Sequence, residues 1–234
     1  MNRVAVDLHI HSCVSPCAED DVTPRNIVGM ALVKGLELIA LTDHNSTDNL
    51  PAIVSEAGRR GLAVLPGMEL ESLEGVHVLA YFRALDAAMA FGSVIRGLLP
   101  NTPNMPAFFG NQLIVNARDQ LVGKVDNLLV QPLNAPLDQL TDMVITAGGL
   151  AVPAHVNRPG SGLLAIKGVI PPGAPYSALE VWRSAPVDKK AVAGYLNLYS
   201  SDAHRLGDIS EREFFLPLAV ASADVAFEYL AQNR

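Results

Sequence analysis

Apolar runs of strand length alternate with amphipathic stretches along most of this chain. The first run, Val4 to His11 (VAVDLHIH), alternates faces: Val4, Val6, Leu8 and Ile10 fall on one side, Asp7, His9 and His11 on the other. Thr23-Pro24 then reads as an N-cap followed by proline at the first helical position, and the helix runs to about Lys34, where Gly35 stops it. LELIALTDH follows as a strand with a polar end. A helix from Asp48 or Asn49 through about Arg60 stops at Gly61, and LAVLPGME is a third strand ending in Glu69. HVLAYF, opening with His77, is a fourth strand, and the pattern then predicts a helix over about Leu85 to Leu99.

From Pro100 to about 135 the pattern becomes a loop and a hairpin, QLIVNARDQLVGK, turning at Asn116 to Gln120. Strand-and-helix alternation resumes with a helix over about Leu137 to Ala147, the strand LAVPAH, the strand ALEVW and a helix near Asp188 to Tyr195. The strand NLYSSDAH and a last helix from about Ser222 complete the series. Strands and helices linked by short glycine-containing loops predict an α/β fold of mostly parallel strands, in which sites form where loops converge at the carboxyl ends of strands. No internal repeat points to a solenoid. At 234 residues, half of them hydrophobic, the chain can enclose one core, so residues 1–234 are expected to be a single domain with the 100–135 segment inserted in it.

The net charge of −7, a pI near 5.3 and the absence of a Lys/Arg run argue against a stable nucleic-acid partner, while leaving room for a short nucleotide. MNRVAVDLHIHS contains no signal-peptide apolar stretch, and no later segment of about 18 apolar residues suggests a membrane span, so a cytoplasmic protein is expected. Two cysteines, Cys13 and Cys17, are too few for a disulfide framework and are read as reduced thiols shaping the loop after the first strand.

Histidine usage changes the picture. All six histidines, at 9, 11, 44, 77, 155 and 204, fall at predicted strand ends, several beside a carboxylate as in Asp43-His44 and Asp202-Ala-His204. A lone His-x-His reads more readily as two surface histidines. Six neutral imidazoles with carboxylates, however, form a ligand set for Zn, Mn or Fe(II) larger than one tetrahedral ion can use, which implies two or three ions.

The series His9-x-His11, Asp43-His44, Gly67-Met-Glu69, His77, His155 and Asp202-x-His204 resembles the motif set of the PHP family, the polymerase and histidinol phosphatase phosphoesterases. The stretches TPRNIVGMALVKGLELIALTDHNS and PAHVNRPG strengthen the likeness. The resemblance implies a distorted TIM-like barrel of seven βα units, (β/α)7, with its metals at the carboxyl ends of the strands. It also implies one ion on His9, His11, Glu69 and Asp202, and a second bridged by Glu69 and held by His77 and His155. A third would lie on His44, His204 and an acidic residue from the loop after the first strand. Where the family often has Ser-Asp-Gly, this chain reads Ser15-Pro-Cys-Ala-Glu19-Asp20-Asp21, and counting back from Thr23-Pro24 favours Glu19 with Asp20 as the alternate.

Such a centre would hydrolyse a phosphomonoester or small nucleotide through a metal-activated water. Arg158 and Arg205, each close behind a histidine, are candidates to grip phosphate oxygens. Asp7 is expected to orient a histidine from behind, and Glu71 is a rival to Glu69 for the bridge. Asn45, Ser46 and Asn157 read as turn caps, and Trp182 as core packing. Two alternatives are an amidohydrolase-like hydrolase, which lacks its usual metal-bridging lysine here, and a catalytically silent metal-binding PHP module.

Overall fold

Strand β1 (Val4–Ile10) starts the sheet, and Thr23 caps helix α1 (Pro24–Val33) by accepting from the Asn26 amide at 3.4 Å. Strand β2 (Leu38–Leu41), helix α2 (Leu50–Arg60) and strand β3 (Ala63–Glu71) follow, so β1, β2 and β3 run parallel through two right-length helical crossovers. This computed structural model describes residues 3–232.

After β3 the parallel pattern ends. A tight turn through Gly75, whose φ of 83° suits glycine, returns the chain as β4 (His77–Tyr81), antiparallel to β3. Helix α3 (Leu85–Arg96) precedes the insertion, which holds a short helix α4 (Pro106–Phe109) and the hairpin β5 (Leu113–Val115) and β6 (Leu121–Lys124). Helix α5 (Leu137–Thr146) leads to β7 (Leu150–Pro153), which pairs antiparallel with β4. The remaining elements are α6 (Leu163–Lys167), the two-residue strands β8 (Leu179–Glu180), β9 (Asn197–Leu198) and β10 (Phe215–Leu216), and α7 (Ala223–Ala231).

The main sheet has six strands in the order β10-β1-β2-β3-β4-β7, curled into a half-barrel, and β8 and β9 form a separate parallel pair. Isolated links carry the curl onward, from Ser177 N to Ala151 O at 3.3 Å on one side and from His11 N to Ala203 O at 2.9 Å on the other. The architecture is therefore a mixed α/β half-barrel, not a ring of seven βα units. Two causes are visible. The β3–β4 connection is a hairpin turn too short for a helix, and the late strands are only two residues long in a stretch punctuated by Pro171, Pro172 and Pro186. The helix expected near Asp188 to Tyr195 is also replaced by turns, begun by the Asp188 side chain accepting from the Lys190 amide at 2.9 Å.

Two apolar layers hold the sheet. One packs it against α1, α2, α3 and α5, with Ile27, Ile53, Phe91 and Leu140 among its residues; the other, with Val4, Val6, Leu8, Leu65 and Tyr81, lies on the opposite face and is covered by Phe227 and Leu230 of α7. Ile10 departs from the simple alternation. A register shift between β1 and β2 after Asp7 turns it away from Val4, Val6 and Leu8 and into the helix-side layer. Among the described residues no helix is long and apolar enough to cross a membrane.

Gly92 of α3 lies tight against the loop after β2: a Cβ there would lie 2.1 Å from the buried Thr47 Oγ1. Gly92→Ala is expected to lower the unfolding free energy by about 1–3 kcal/mol through overpacking, measured by denaturant titration. An unshifted midpoint would show that Thr47 yields freely.

Candidate metal centre

The six histidines are brought to one rim of the half-barrel. β1 delivers His9 and His11 at its carboxyl end, His44 follows β2, and Glu69 lies near the end of β3, where the His44–Glu69 bridge continues the sheet. His77 begins β4 rather than ending it, but that strand runs backward and so reaches the same rim. His155 lies just past β7, and Asp202 and His204 just past β9.

Glu69, 1 % exposed, is the hub. Its Oε1 lies 2.9 Å from His77 Nδ1, 3.1 Å from His155 Nε2 and 3.5 Å from His9 Nε2; its Oε2 lies 3.1 Å from His44 Nδ1 and 3.3 Å from His11 Nε2. Asp202 Oδ1 approaches His9 Nε2 at 3.2 Å and His11 Nε2 at 3.1 Å. Three overlapping groups of ligand atoms each lie within 4.8 Å: His9, His11, Glu69 and Asp202; His44, Glu69 and His77; and His11, His44 and His204.

Proton bookkeeping decides what these contacts need. His9 Nδ1 meets the Glu180 carboxylate at 2.9 Å, an acceptor, so Nδ1 carries the hydrogen. His11 Nδ1 meets Ser15 Oγ at 3.1 Å; that hydroxyl gives its own hydrogen to Asp43 Oδ1 at 2.7 Å, so it accepts from His11 Nδ1–H. Both Nε2 atoms of the neutral rings then hold bare lone pairs, yet they face each other at 3.1 Å and face two carboxylates as well. Acceptors aimed at acceptors require a cation between them, either protons or a metal. Likewise His44 Nδ1 and Glu69 Oε2 are buried with no hydrogen-bond partner. The donor set thus fits divalent ions.

The electrostatics agree. Burial works against protonating His9, but Glu180, Asp202 and Glu69 outweigh it and raise its pKa well above the usual value; the same contest lifts His11 to about 9, with Asp202 and Glu69 as the raising partners. Burial would raise Glu69, but His77, His9 and His44 hold it well below the usual carboxylate range. His44 is driven far down by burial, and His204 to about 4 by burial and the neighbouring His11.

Not every expected residue joins these groups: His155 lies outside all three, although its Nε2 is 3.1 Å from Glu69 Oε1. Glu19 lies at the rim with its Oε1 taking Arg205 Nε at 2.9 Å, and Asp20 accepts from Asn111 Nδ2 at 2.8 Å; neither belongs to the three ligand groups. The loop from Ser12 to Val22 is folded back on itself by backbone bonds such as Cys13 N to Val22 O, which points these carboxylates outward. Asp7 does not orient a ring. Its two oxygens hold the backbone amides of Ser201 and Ser210 at 3.0 and 2.9 Å, fixing the Asp202 loop instead. Asp43 reaches His11 only through Ser15 and also takes the Ser12 amide at 2.6 Å. Glu71 stays outside the groups, its backbone amide donating to Asn45 Oδ1.

Arg158 ion-pairs with Asp202 and lies over the Trp182 ring, 5.4 Å from its centroid. Trp182 is therefore half-buried at the rim and not in the core, its loop pinned by Asn157, which accepts from the Trp182 amide at 2.8 Å and donates to its carbonyl at 3.0 Å. Asn45 ties the insertion down by donating to the carbonyls of Leu129 and Gln131, and Ser46 bonds locally with Asp48. Both cysteines are free, Cys13 buried and Cys17 at the site's mouth. A cavity of about 260 Å³ opens onto the cluster, lined by Cys17, His44, Glu69, His77, Val130, Arg158, Ser161, Asp202 and His204.

The residue the sequence reading missed is Glu180. A single carboxylate inside the apolar run ALEVW was the available signal, since an ionisable residue there must find a buried partner.

Comparison with known proteins adds identity to this geometry. A 74-residue stretch is 36 % identical to a 3′,5′-nucleoside bisphosphate phosphatase of Chromobacterium violaceum, covering 32 % of this chain and 25 % of that protein. A 72-residue stretch is 35 % identical to the 5′-3′ exoribonuclease Rnm of Salmonella typhimurium, covering 30 % of this chain and 24 % of that one. The matches thus span about a quarter of the length of these curated relatives. In fold, the chain is similar to the lesion-specific endonuclease PfuEndoQ from Pyrococcus furiosus, with a TM-score of 0.70 and 21 % identity over 99 % of this chain and 56 % of that one. Residues 7–144, more than half the chain and running from β1 through most of α5, match the PHP domain, and the chain belongs to that family.

Proposed function

We propose that this PHP-family protein is a metal-dependent phosphoesterase acting on a phosphomonoester or small nucleotide. The observation that carries the reading is the set of bare imidazole lone pairs and carboxylate oxygens converging at 3.1–3.5 Å with no donor among them. His9, His11, Glu69 and Asp202 would hold one ion. Glu69, His77 and His155 would hold a second, with His44 within reach, and His11, His44 and His204 offer a third position. Divalent ions bound there supply Lewis acidity toward phosphate oxygens and a water acidified enough to attack phosphorus in line. The mixed nitrogen and oxygen donors suit Zn, Mn or Fe(II).

The chain's own groups do the rest. Arg158, stacked on Trp182 and lining the cavity, would donate to a phosphate oxygen when Asp202 turns to an ion. Arg205 is committed to Glu19 at the outer rim, which favours Arg158 as the phosphate-binding residue. A cavity of 260 Å³ has room for the reacting phosphoryl group, and the remainder of the substrate would lie outside it. That openness is also compatible with the end of an oligonucleotide, the second reading, which the exoribonuclease relative favours. Among the described residues no lysine lines the cavity, which disfavours the amidohydrolase-like alternative. The intact core group of His9, His11, Glu69 and Asp202 disfavours a silent module.

Phosphate release should be assayed with Mn, Zn and Fe(II) added in turn, against monoesters, nucleoside bisphosphates and short oligonucleotides. His9→Ala and Glu69→Ala are expected to abolish turnover while remaining folded by circular dichroism; turnover retained in both would overturn the site. Arg158→Ala is expected to lose about 10- to 100-fold in kcat/KM, the worth of one charge-assisted hydrogen bond. Equal kinetics would return Arg158 to a purely structural pairing.

Metal uptake should also be pH-dependent. An unfolded imidazole titrates near 6.5, whereas His11 in the metal-free fold is held at about 9. Its proton therefore stabilises the metal-free fold fully below pH 6.5, and that contribution disappears as pH rises through 9. Ions must displace this proton, so zinc affinity should climb between pH 6.5 and 9 with proton release at pH 7. Calorimetry in buffers of different ionisation enthalpy measures it, and a flat profile would contradict the assignment.

A further inference from the structure

Glu180 stands behind the histidines, not among them. It ends β8, is 2 % exposed, and is absent from the groups of converging ligand atoms. One of its oxygens, Oε2, touches two elements of the centre at once: His9 Nδ1 on β1 at 2.9 Å and the backbone amide of His155 after β7 at 3.0 Å. The Glu180 carbonyl also accepts from the Val156 amide at 2.8 Å, so residues 155 and 156 are both anchored to this residue.

Each contact fixes something an ion would need. The carboxylate commits the hydrogen of His9 to Nδ1 and so leaves Nε2 bare toward Asp202 and Glu69. At His155 the backbone has φ of 28°, in the left-handed region that residues with a Cβ rarely enter, and the bond from its amide to Glu180 helps hold it there. That conformation brings His155 Nε2 to 3.1 Å from Glu69. His9 is assigned above to the first ion and His155 to the second.

We propose that Glu180 is a positioning residue shared by two ion sites: one carboxylate oxygen sets the tautomer of His9 and the backbone pose of His155 together, so its loss weakens both ions. This rests on the two-ion reading of the centre. The rival role is that of a buried counter-charge that stabilises the fold and leaves ion binding alone.

The test uses the full chain stripped of metal, with zinc as the probe and competition against a chromogenic chelator as the readout. Wild type, Glu180→Gln and Glu180→Ala are compared, with circular dichroism of each metal-free form as the folding control. Glu180→Gln keeps an acceptor oxygen and is expected to bind both ions within about 10-fold of wild type, whereas Glu180→Ala is expected to lose about 10- to 100-fold at each site. Proton NMR of the zinc-loaded protein should show the His9 Nδ1–H as a downfield, slowly exchanging resonance in wild type and Gln, where it donates to residue 180, and that signature lost in Ala. Should Glu180→Ala fail to fold, Glu180→Asp replaces it; the acid retracted by one methylene is expected to bind zinc more weakly than Gln. Wild-type affinity at both sites in Ala, or in Asp where it stands in, overturns the inference, as does weakened binding with the His9 signature intact. Wild type that takes up fewer than two ions overturns the two-ion reading and this inference with it.

Discussion

The constraint on which this site depends is an excess of acceptors. Glu69 lies within 3.5 Å of nitrogens from five imidazoles, and at least two of those rings already spend their Nδ1 hydrogens on Glu180 and Ser15. Such a cluster is tolerable in a buried setting only with positive charge inside it. Without metal, protons fill that need, which is why His9 and His11 are pushed up while Glu69 is pushed down. The arrangement makes sense as a receptacle for cations that protons occupy by default.

The fold meets this constraint by assembling the rim from strands of both directions. β1, β2, β3, β7, β8 and β9 bring their ends there, and the hairpin-returned β4 brings its start. Supporting groups then fix the loops: Asp7 holds the amides ahead of Asp202 and within the segment after it, and Asp43 with Ser12 and Ser15 holds the turn after β1. Buried carboxylates therefore serve two separate tasks here. Some face the cation space, and others face backbone amides that shape its walls.

Much of this was legible in the sequence, because a histidine at the end of an apolar run is both a strand marker and a rim marker. The order of helices and strands through β4, the hairpin insertion and the gathering of the six histidines follow from periodicity and glycine stops. Other features depend on partners distant in the chain. Nothing near Glu180 reveals that it meets His9, 171 residues away. Ile10 turned over because of a register shift against β2, which alternation alone cannot show. Counting back from Thr23-Pro24 could not tell that the loop folds back and spends Glu19 on Arg205. The seven βα units of the expected distorted barrel are not all formed, because β3 returns directly as β4 and β8, β9 and β10 are reduced to two residues each.

The β3–β4 hairpin has a consequence for how the centre comes into being. Glu69 and His77 are only 8 residues apart and meet across one turn, whereas His11 and Asp202 are separated by 191. The Glu69–His77 pair is thus a local product of one hairpin, whereas the His11–Asp202 pair requires distant parts of the chain to meet. An ion held by His9, His11, Glu69 and Asp202 would therefore report closure, fastening the opening strand to the last turn of the half-barrel in the manner of a clasp.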